Sequence, residues 1–204
     1  MAPFYDDIAG LVYGQPLFLA QLYSLQHVQN QTKLLIVGGG TGWILPYLFK
    51  QAPQTEIWFV DISSHMIEIA NKKVQPGQMV HLIHGTERDI PKNVLFDTVL
   101  LHFYVDGFTQ NDLPVRLDSI HTTLKPNANW LIADFADSGK KHHRFLLWLT
   151  HRFFRFTVKH PNTRLQNWQK VLNHEGYEPV EECYFGDGLI KTMVYKNKDV
   201  SFLK

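Results

Sequence analysis

An α/β protein built on a mostly parallel β-sheet is what this sequence predicts, on three observations. Short β-rich runs alternate with longer helical patterns between residues 34 and 133. Strands separated in this way by helices mark right-handed βαβ crossovers. The chain then closes on two β-rich runs joined by Gly186-Asp187-Gly188. A turn that short forces antiparallel pairing, because a parallel partner needs a crossover of a dozen or more residues. The expected sheet is doubly wound and seven-stranded, with an antiparallel C-terminal hairpin at one edge and helices on both faces, a three-layer αβα arrangement.

Each element has a local cause. Leu34 to Val37 is an apolar run stopped by Gly38, and Trp43 to Lys50 follows with helical spacing. Glu56 to Val60 is the second strand. Ser64 to Val74 places Met66, Ile67, Ala70 and Val74 at helical intervals. Met79 to Ile83 and Asp97 to Leu101 are the third and fourth strands. Leu113, Leu117, Ile120 and Leu124 mark a helix that ends before Lys125-Pro126, and Asn129 to Ala133 is the fifth strand. Thr163 and Gln166 form a capping box for a helix running to His174, with Gly176 as its stop. Val180 to Phe185 and Leu189 to Tyr195 form the hairpin. Residues 1–32 read as a helical cap, with Leu17, Ala20, Leu22, Leu25 and Val28 on its apolar side. The whole of 1–204 reads as one domain: this cap, a core over 33–136, and a covering segment with the hairpin over 137–204.

Composition narrows the function. Of 204 residues, 45% are hydrophobic and 19% charged, which excludes a disordered chain. The formal net charge of +1 calls for neither nucleic acid nor a membrane as partner. One cysteine, Cys183, rules out an intrachain disulfide and fits a reducing, cytoplasmic location. The N-terminus carries acids where a signal peptide carries positive charge.

The stretch Leu34 to Trp43 is the most informative. Glycines clustered at the end of a strand bring bare backbone close to a ligand. A dinucleotide loop needs glycines at positions one, three and six, but the sixth is Trp43 counted from Gly38 and Leu45 counted from Gly40. No Gly-Lys-Ser/Thr follows, so a P-loop is excluded. Glycine at alternate positions, Gly38, Gly40 and Gly42, suits a ligand without phosphate, although a plain tight turn also uses glycine. Asp61 directly follows the second strand, about 20 residues on, where a carboxylate can accept hydrogen bonds from both hydroxyls of a ribose. Ser63 or Ser64 serves as the helix cap, which leaves Asp61 free for that role.

These residues carry a family resemblance. Gly38-Gly39-Gly40-Thr41-Gly42 resembles the first motif of the class I S-adenosylmethionine-dependent methyltransferases, and Asp61-Ile62-Ser63-Ser64-His65-Met66-Ile67 resembles their second. His84 to Pro91 is similar to the segment that closes over adenine. Phe96-Asp97-Thr98-Val99, and Leu124-Lys125-Pro126 followed by Trp130-Leu131-Ile132, resemble the signatures of the fourth and fifth strands. The matches keep the family's order from Leu34 to about Asp134, and the small-molecule branch with its quinone and menaquinone methyltransferases is the nearest likeness.

The resemblance implies a Rossmann-like fold and S-adenosylmethionine as cofactor. It implies that Gly38, Gly39, Gly40, Thr41 and Gly42 pass beneath the cofactor, that Asp61 holds the ribose, that Ile62 and Met66 flank adenine, and that Thr86 and Glu87 meet its edge. Two positions depart from the family. An acid two residues before the first glycine is replaced by Ile36. The acid that follows the glycine aligned with Gly85 is replaced by Thr86, with Glu87 next.

In methyl transfer the reactive centre belongs to the cofactor, and a general base is needed only for a protonated acceptor. His102, at the end of the fourth strand, is a candidate for that base or for a cofactor contact. Tyr104 and Asp106 follow in the same loop. Tyr5 and Tyr13 resemble family residues that fold over the site, and Asp134 either orients an acceptor or holds a turn. His142, His143 and His151 lack a metal-binding pattern, so no metal is expected. Residues 140–159 combine eight large apolar side chains with six Lys or Arg. This segment is a packed amphipathic helix, a lid over an apolar or aromatic acceptor, or a face resting weakly on a membrane surface. The expected partner is a small-molecule acceptor and not nucleic acid, with a homodimer left open. The competing reading is a methyltransferase-like protein that binds cofactor or partner without turnover.

Overall fold

The computed structural model describes residues 13–141, 143, 169, 170, 172 and 176–197. Its centre is a seven-stranded sheet of order β3-β2-β1-β4-β5-β7-β6. The strands are β1 (Lys33–Val37), β2 (Glu56–Asp61), β3 (Val80–His84), β4 (Phe96–His102), β5 (Leu124–Phe135), β6 (Tyr177–Phe185) and β7 (Ile190–Asn197). β1 to β5 pair in parallel, and β7 runs antiparallel to both β5 and β6. The predicted class and hairpin are therefore present, with β6 starting at Tyr177 rather than Val180.

Alternating side chains bury both faces, as a sheet covered by helices requires. Leu34, Ile36, Ile57, Phe59, Leu100, Leu131 and Val194 pack on one face. That face is covered by α1 (Gln15–Leu25), α2 (Leu45–Gln51) and α3 (Ser64–Asn71) through residues such as Leu25, Leu48 and Ala70. Leu35, Val37, Trp58, Val60, Val99, Leu101, Trp130 and Ile132 face the other way. They meet Leu113, Leu117 and Ile120 of α4 (Asp112–His121), and Leu172.

The differences from the sequence reading sit at element ends. Pro46 in the first turn fixes the start of α2 at Leu45, two residues later than expected, because the glycine turn runs on through Gly42. β5 begins at Leu124, where the helical pattern was expected to end, and a register shift between Phe96 and Thr98 absorbs Lys125-Pro126 against β4. Of the helix expected over 163–174, Gln169, Lys170 and Leu172 are helical, and the rest lies outside the described residues. No helix among the described residues is long and apolar enough to cross a membrane.

α1 is fixed to the carboxyl end of the sheet by polar contacts as well as packing. Thr192 Oγ1 donates to the Ala20 carbonyl at 2.7 Å, and Trp43 Nε1 donates to Gln21 Oε1 at 3.2 Å. Chain order reverses between β1 and β4, and in open α/β sheets ligands bind outside the carboxyl ends of the strands at such a reversal.

Candidate cofactor crevice at the carboxyl end of β1 and β4

The glycine loop has the backbone that its spacing suggested. Gly38, Gly40 and Gly42 all have positive φ, at 71°, 59° and 66°. Only glycine adopts this region without strain, so the alternate spacing is a conformational requirement. A β-carbon at Gly38 would lie 2.7 Å from the Tyr104 ring, and one at Gly42 would lie 2.9 Å from Ala70. Gly39 has ordinary φ but no room, since its β-carbon would fall 2.2 Å from Phe59. At Gly40, no described residue lies within 4 Å of an added β-carbon. The loop is closed on its neighbours at three glycines and unfilled at one.

Asp61 stands at that unfilled position. Its Oδ2 accepts the Gly40 N–H at 2.8 Å, and its Oδ1 accepts the Ser63 N–H at 2.9 Å. The side chain is 8% exposed, and burial raises its pKa against the opposing pull of those two N–H groups. A carboxylate has about four acceptor sites, so each oxygen keeps capacity for a hydroxyl donor. Ser63, not Asp61, caps α3 by accepting the Met66 N–H. Ile62 is 67% exposed beside it, and Met66 is half-buried on the first turn of α3. Thr41 is buried, and its carbonyl accepts from Lys73 Nζ at 2.7 Å.

The loop after β3 differs from the sequence expectation. Thr86 caps a single 3-10 turn, Glu87–Asp89, and forms a capping box with Asp89, whose Oδ2 accepts the Thr86 N–H at 2.8 Å. The departure at Thr86 thus has a local structural cause, legible in the Thr-x-x-Asp pattern. Glu87, expected at an adenine edge, is only 1% exposed and is engaged by Arg116 and Tyr104.

His102 projects to the α1 side, where its Nε2 shares a 2.9 Å hydrogen bond with Ser24 Oγ. Burial pushes its pKa down to about 3, so the ring is neutral at physiological pH and weakly basic. Burial and the charge of Glu87 raise the Tyr104 pKa, so that phenol stays protonated. Tyr13 is buried against Phe135, with ring centroids 4.9 Å apart, while Tyr5 lies outside the described residues. Asp134 is fully buried and accepts three backbone N–H groups, those of Val105, Asp106 and Phe135. It holds the turn after β4 in shape.

Sequence reasoning passed over Phe103, Ser24 and Arg116. Phe103 has a positive φ of 51° directly after β4, and its ring lies 5.0 Å from Phe135. Non-glycine residues in this conformation concentrate at functional sites. His143 Nδ1 shares a hydrogen bond with Ser138 Oγ at 2.6 Å; His142, His151 and nearly all of 140–159 lie outside the described residues.

Comparison with known proteins agrees with this geometry. Residues 34–127 match the family described as "Methyltransferase domain". Malonyl-[acyl-carrier protein] O-methyltransferase of Priestia megaterium is 29% identical over 133 residues, which are 65% of this chain and 47% of that protein. Demethylmenaquinone methyltransferase of Lysinibacillus sphaericus is 26% identical over 76% of this chain and 64% of its own length. The chain thus spans about half to two thirds of these curated relatives. A SAM-dependent methyltransferase from Aquifex aeolicus shares the fold, with a TM-score of 0.65 at 19% identity over 96% of both chains. In the order of its strands this chain shares the fold of S-adenosylmethionine-dependent methyltransferases, and residues 34–127, which carry the glycine loop and Asp61, match a methyltransferase domain.

Proposed function

We propose that the protein transfers a methyl group from S-adenosylmethionine to a small apolar or aromatic acceptor. The observation that carries this reading is the 2.8 Å hydrogen bond from Gly40 to Asp61. It joins a phosphate-free bare-backbone bend to a carboxylate with acceptor capacity left, beside space that no described residue fills. Asp61 would hold the ribose, the backbone at Gly38 to Gly42 would underlie the cofactor, and Ile62 with Met66 would offer apolar cover to adenine. When bound, the cofactor supplies an electrophilic methyl group on a sulfonium. The chain's own contribution is to orient the acceptor and exclude water.

An aromatic cluster supports the acceptor class. Tyr13, Phe103 and Phe135 form a contiguous aromatic cluster just beyond β4 and β5, joined by Phe18 and Phe185. Such rings favour an apolar, flat partner over a charged one. Among the described candidates, neither the weakly basic His102 nor the protonated Tyr104 is suited to remove a proton at neutral pH. The proton of a phenol or hydroquinone acceptor, whose pKa is about 10, would therefore leave to water or to a group other than these two.

Calorimetric titration with S-adenosylmethionine, followed by S-adenosylhomocysteine production with a panel of quinols, phenols and lipids, tests this. Micromolar binding with turnover on an aromatic acceptor is expected. Failure to bind would overturn the reading. Binding without turnover on any acceptor would reduce it to a cofactor- or partner-binding protein, which the replacement of the usual acid by Ile36 favours.

A further inference from the structure

Contacts on the α4 side of the sheet join the loops that bound the crevice. Arg116 Nη1 lies 2.8 Å from both carboxylate oxygens of Glu87, and Tyr104 Oη donates to Glu87 Oε2 at 3.0 Å. The Arg116 guanidinium also lies 4.2 Å from the centre of the Phe108 ring, which in turn sits 4.8 Å from the Tyr104 ring. At the far end, the Tyr104 ring fills the space over Gly38. One continuous path therefore runs from α4 through the loop after β3 and the loop after β4 to the glycine loop after β1.

The placement is chemically specific. A carboxylate as buried as Glu87 is tolerated only with charged and hydrogen-bonding partners, and both come from segments that flank the crevice. Arg116 Nη1, shared between both oxygens, stops Glu87 from turning elsewhere, and Glu87 directs the Tyr104 hydroxyl away from Gly38, leaving the ring's edge against the glycine. Tyr104 has the freedom of a loop residue, since it follows β4 by two residues and precedes a 3-10 turn at Val105–Gly107.

We propose that Arg116 and Glu87 are positioning residues for cofactor binding, holding the Tyr104 ring against Gly38 so that it forms a fixed wall of the crevice next to Gly40. This inference rests on the cofactor reading given above. The rival account is an ion pair that only stabilises the fold. The two differ in what happens to ligand affinity in the folded protein, and in whether that effect passes through Tyr104.

The test is a double-variant cycle on the full chain, with S-adenosylhomocysteine affinity read by calorimetry and folding checked by circular dichroism and thermal melting. Arg116→Ala and Tyr104→Ala are each expected to raise Kd at least tenfold. The double variant is expected to bind within twofold of Tyr104→Ala, because the wall that Arg116 positions is already gone. Tyr104→Phe keeps the ring and is expected to lose less than Tyr104→Ala. If Arg116→Ala does not fold, Arg116→Gln keeps a hydrogen-bond donor without the charge, and a loss that vanishes in the Tyr104→Ala background supports the proposal equally. Arg116 variants that bind within twofold of wild type, or losses that multiply in the double variant, overturn it. Wild-type protein that binds no S-adenosylhomocysteine overturns the cofactor reading itself.

Discussion

Asp61 and Gly40, 21 residues apart in sequence, meet through a 2.8 Å hydrogen bond between carboxylate and backbone amide. The contact makes the end of β2 and the unfilled point of the glycine loop one unit. Asp61→Ala should therefore act twice. On the proposed cofactor reading it removes the acceptor for a ribose, and it leaves the Gly40 and Ser63 N–H groups without their partner. We expect cofactor affinity to fall by about two orders of magnitude, as for a lost charged hydrogen-bonding group, and stability by about 1–3 kcal/mol. Calorimetry and urea denaturation of the same sample separate the two losses.

The glycine loop separates packing from binding at adjacent positions. Gly39→Ala would drive a methyl group into the buried Phe59 ring and should cost about 1–3 kcal/mol by overpacking. Gly40→Ala meets no described neighbour, and its positive φ should cost about 1 kcal/mol. Its methyl group would stand in the crevice, so this variant should fold yet bind S-adenosylhomocysteine at least tenfold more weakly. Equal binding by Gly40→Ala and wild type would contradict the loop's assigned role.

Much of this arrangement was legible because it is local. The alternate glycines mark bare backbone directly, and the alternation of strands and helices marks a mostly parallel sheet. Asp61 was found by position alone, at the end of the second strand. What escaped depends on distant partners. Glu87 is committed to Arg116, 29 residues on, and His102 to Ser24, 78 residues back, and no local pattern announces either pairing. Thr86 is the intermediate case. Its capping box with Asp89 is a four-residue signal, at a position where the family pattern has an acid.

The buried Asp134 predicts a pH effect of unusual sign for a carboxylate. Burial and the charge of Asp106 raise its pKa in the folded state above the unfolded value. The folded form therefore holds the proton more tightly, and its stabilising contribution is complete at low pH and declines as pH rises through the folded pKa. Asp134→Asn removes that titration and disturbs the three N–H contacts. The variant's stability deficit should be larger at pH 4 than at pH 7, measured by urea denaturation at both. A deficit that grows with pH would show that the N–H groups outweigh burial.

Ile62 separates surface from site. A large apolar side chain 67% exposed contributes little to folding, so Ile62→Ser should leave stability within about 0.5 kcal/mol of wild type. If its side chain covers adenine, the same change should weaken S-adenosylhomocysteine binding several-fold. Unchanged affinity would detach Ile62 from the crevice while leaving Asp61 in place.

His102 gives the opposite pH dependence to Asp134. Its pKa falls from the ordinary 6.5 to about 3 in the folded protein, because burial under α1 disfavours the imidazolium. The unfolded chain therefore binds a proton that the folded chain refuses. The stability that follows is fully present above pH 6.5 and is lost as pH falls from there towards about 3, by up to about 1.4 kcal/mol for each pH unit. His102→Gln keeps a polar group for Ser24 but has no proton to take up. Its stability should be lower than wild type at pH 7 and should fall less steeply on acidification, so the two curves converge near pH 4. Parallel curves between pH 7 and pH 4 would mean that His102 takes up its proton in the folded state at the same pH as in the unfolded chain, and would restore it as a candidate proton-transfer group.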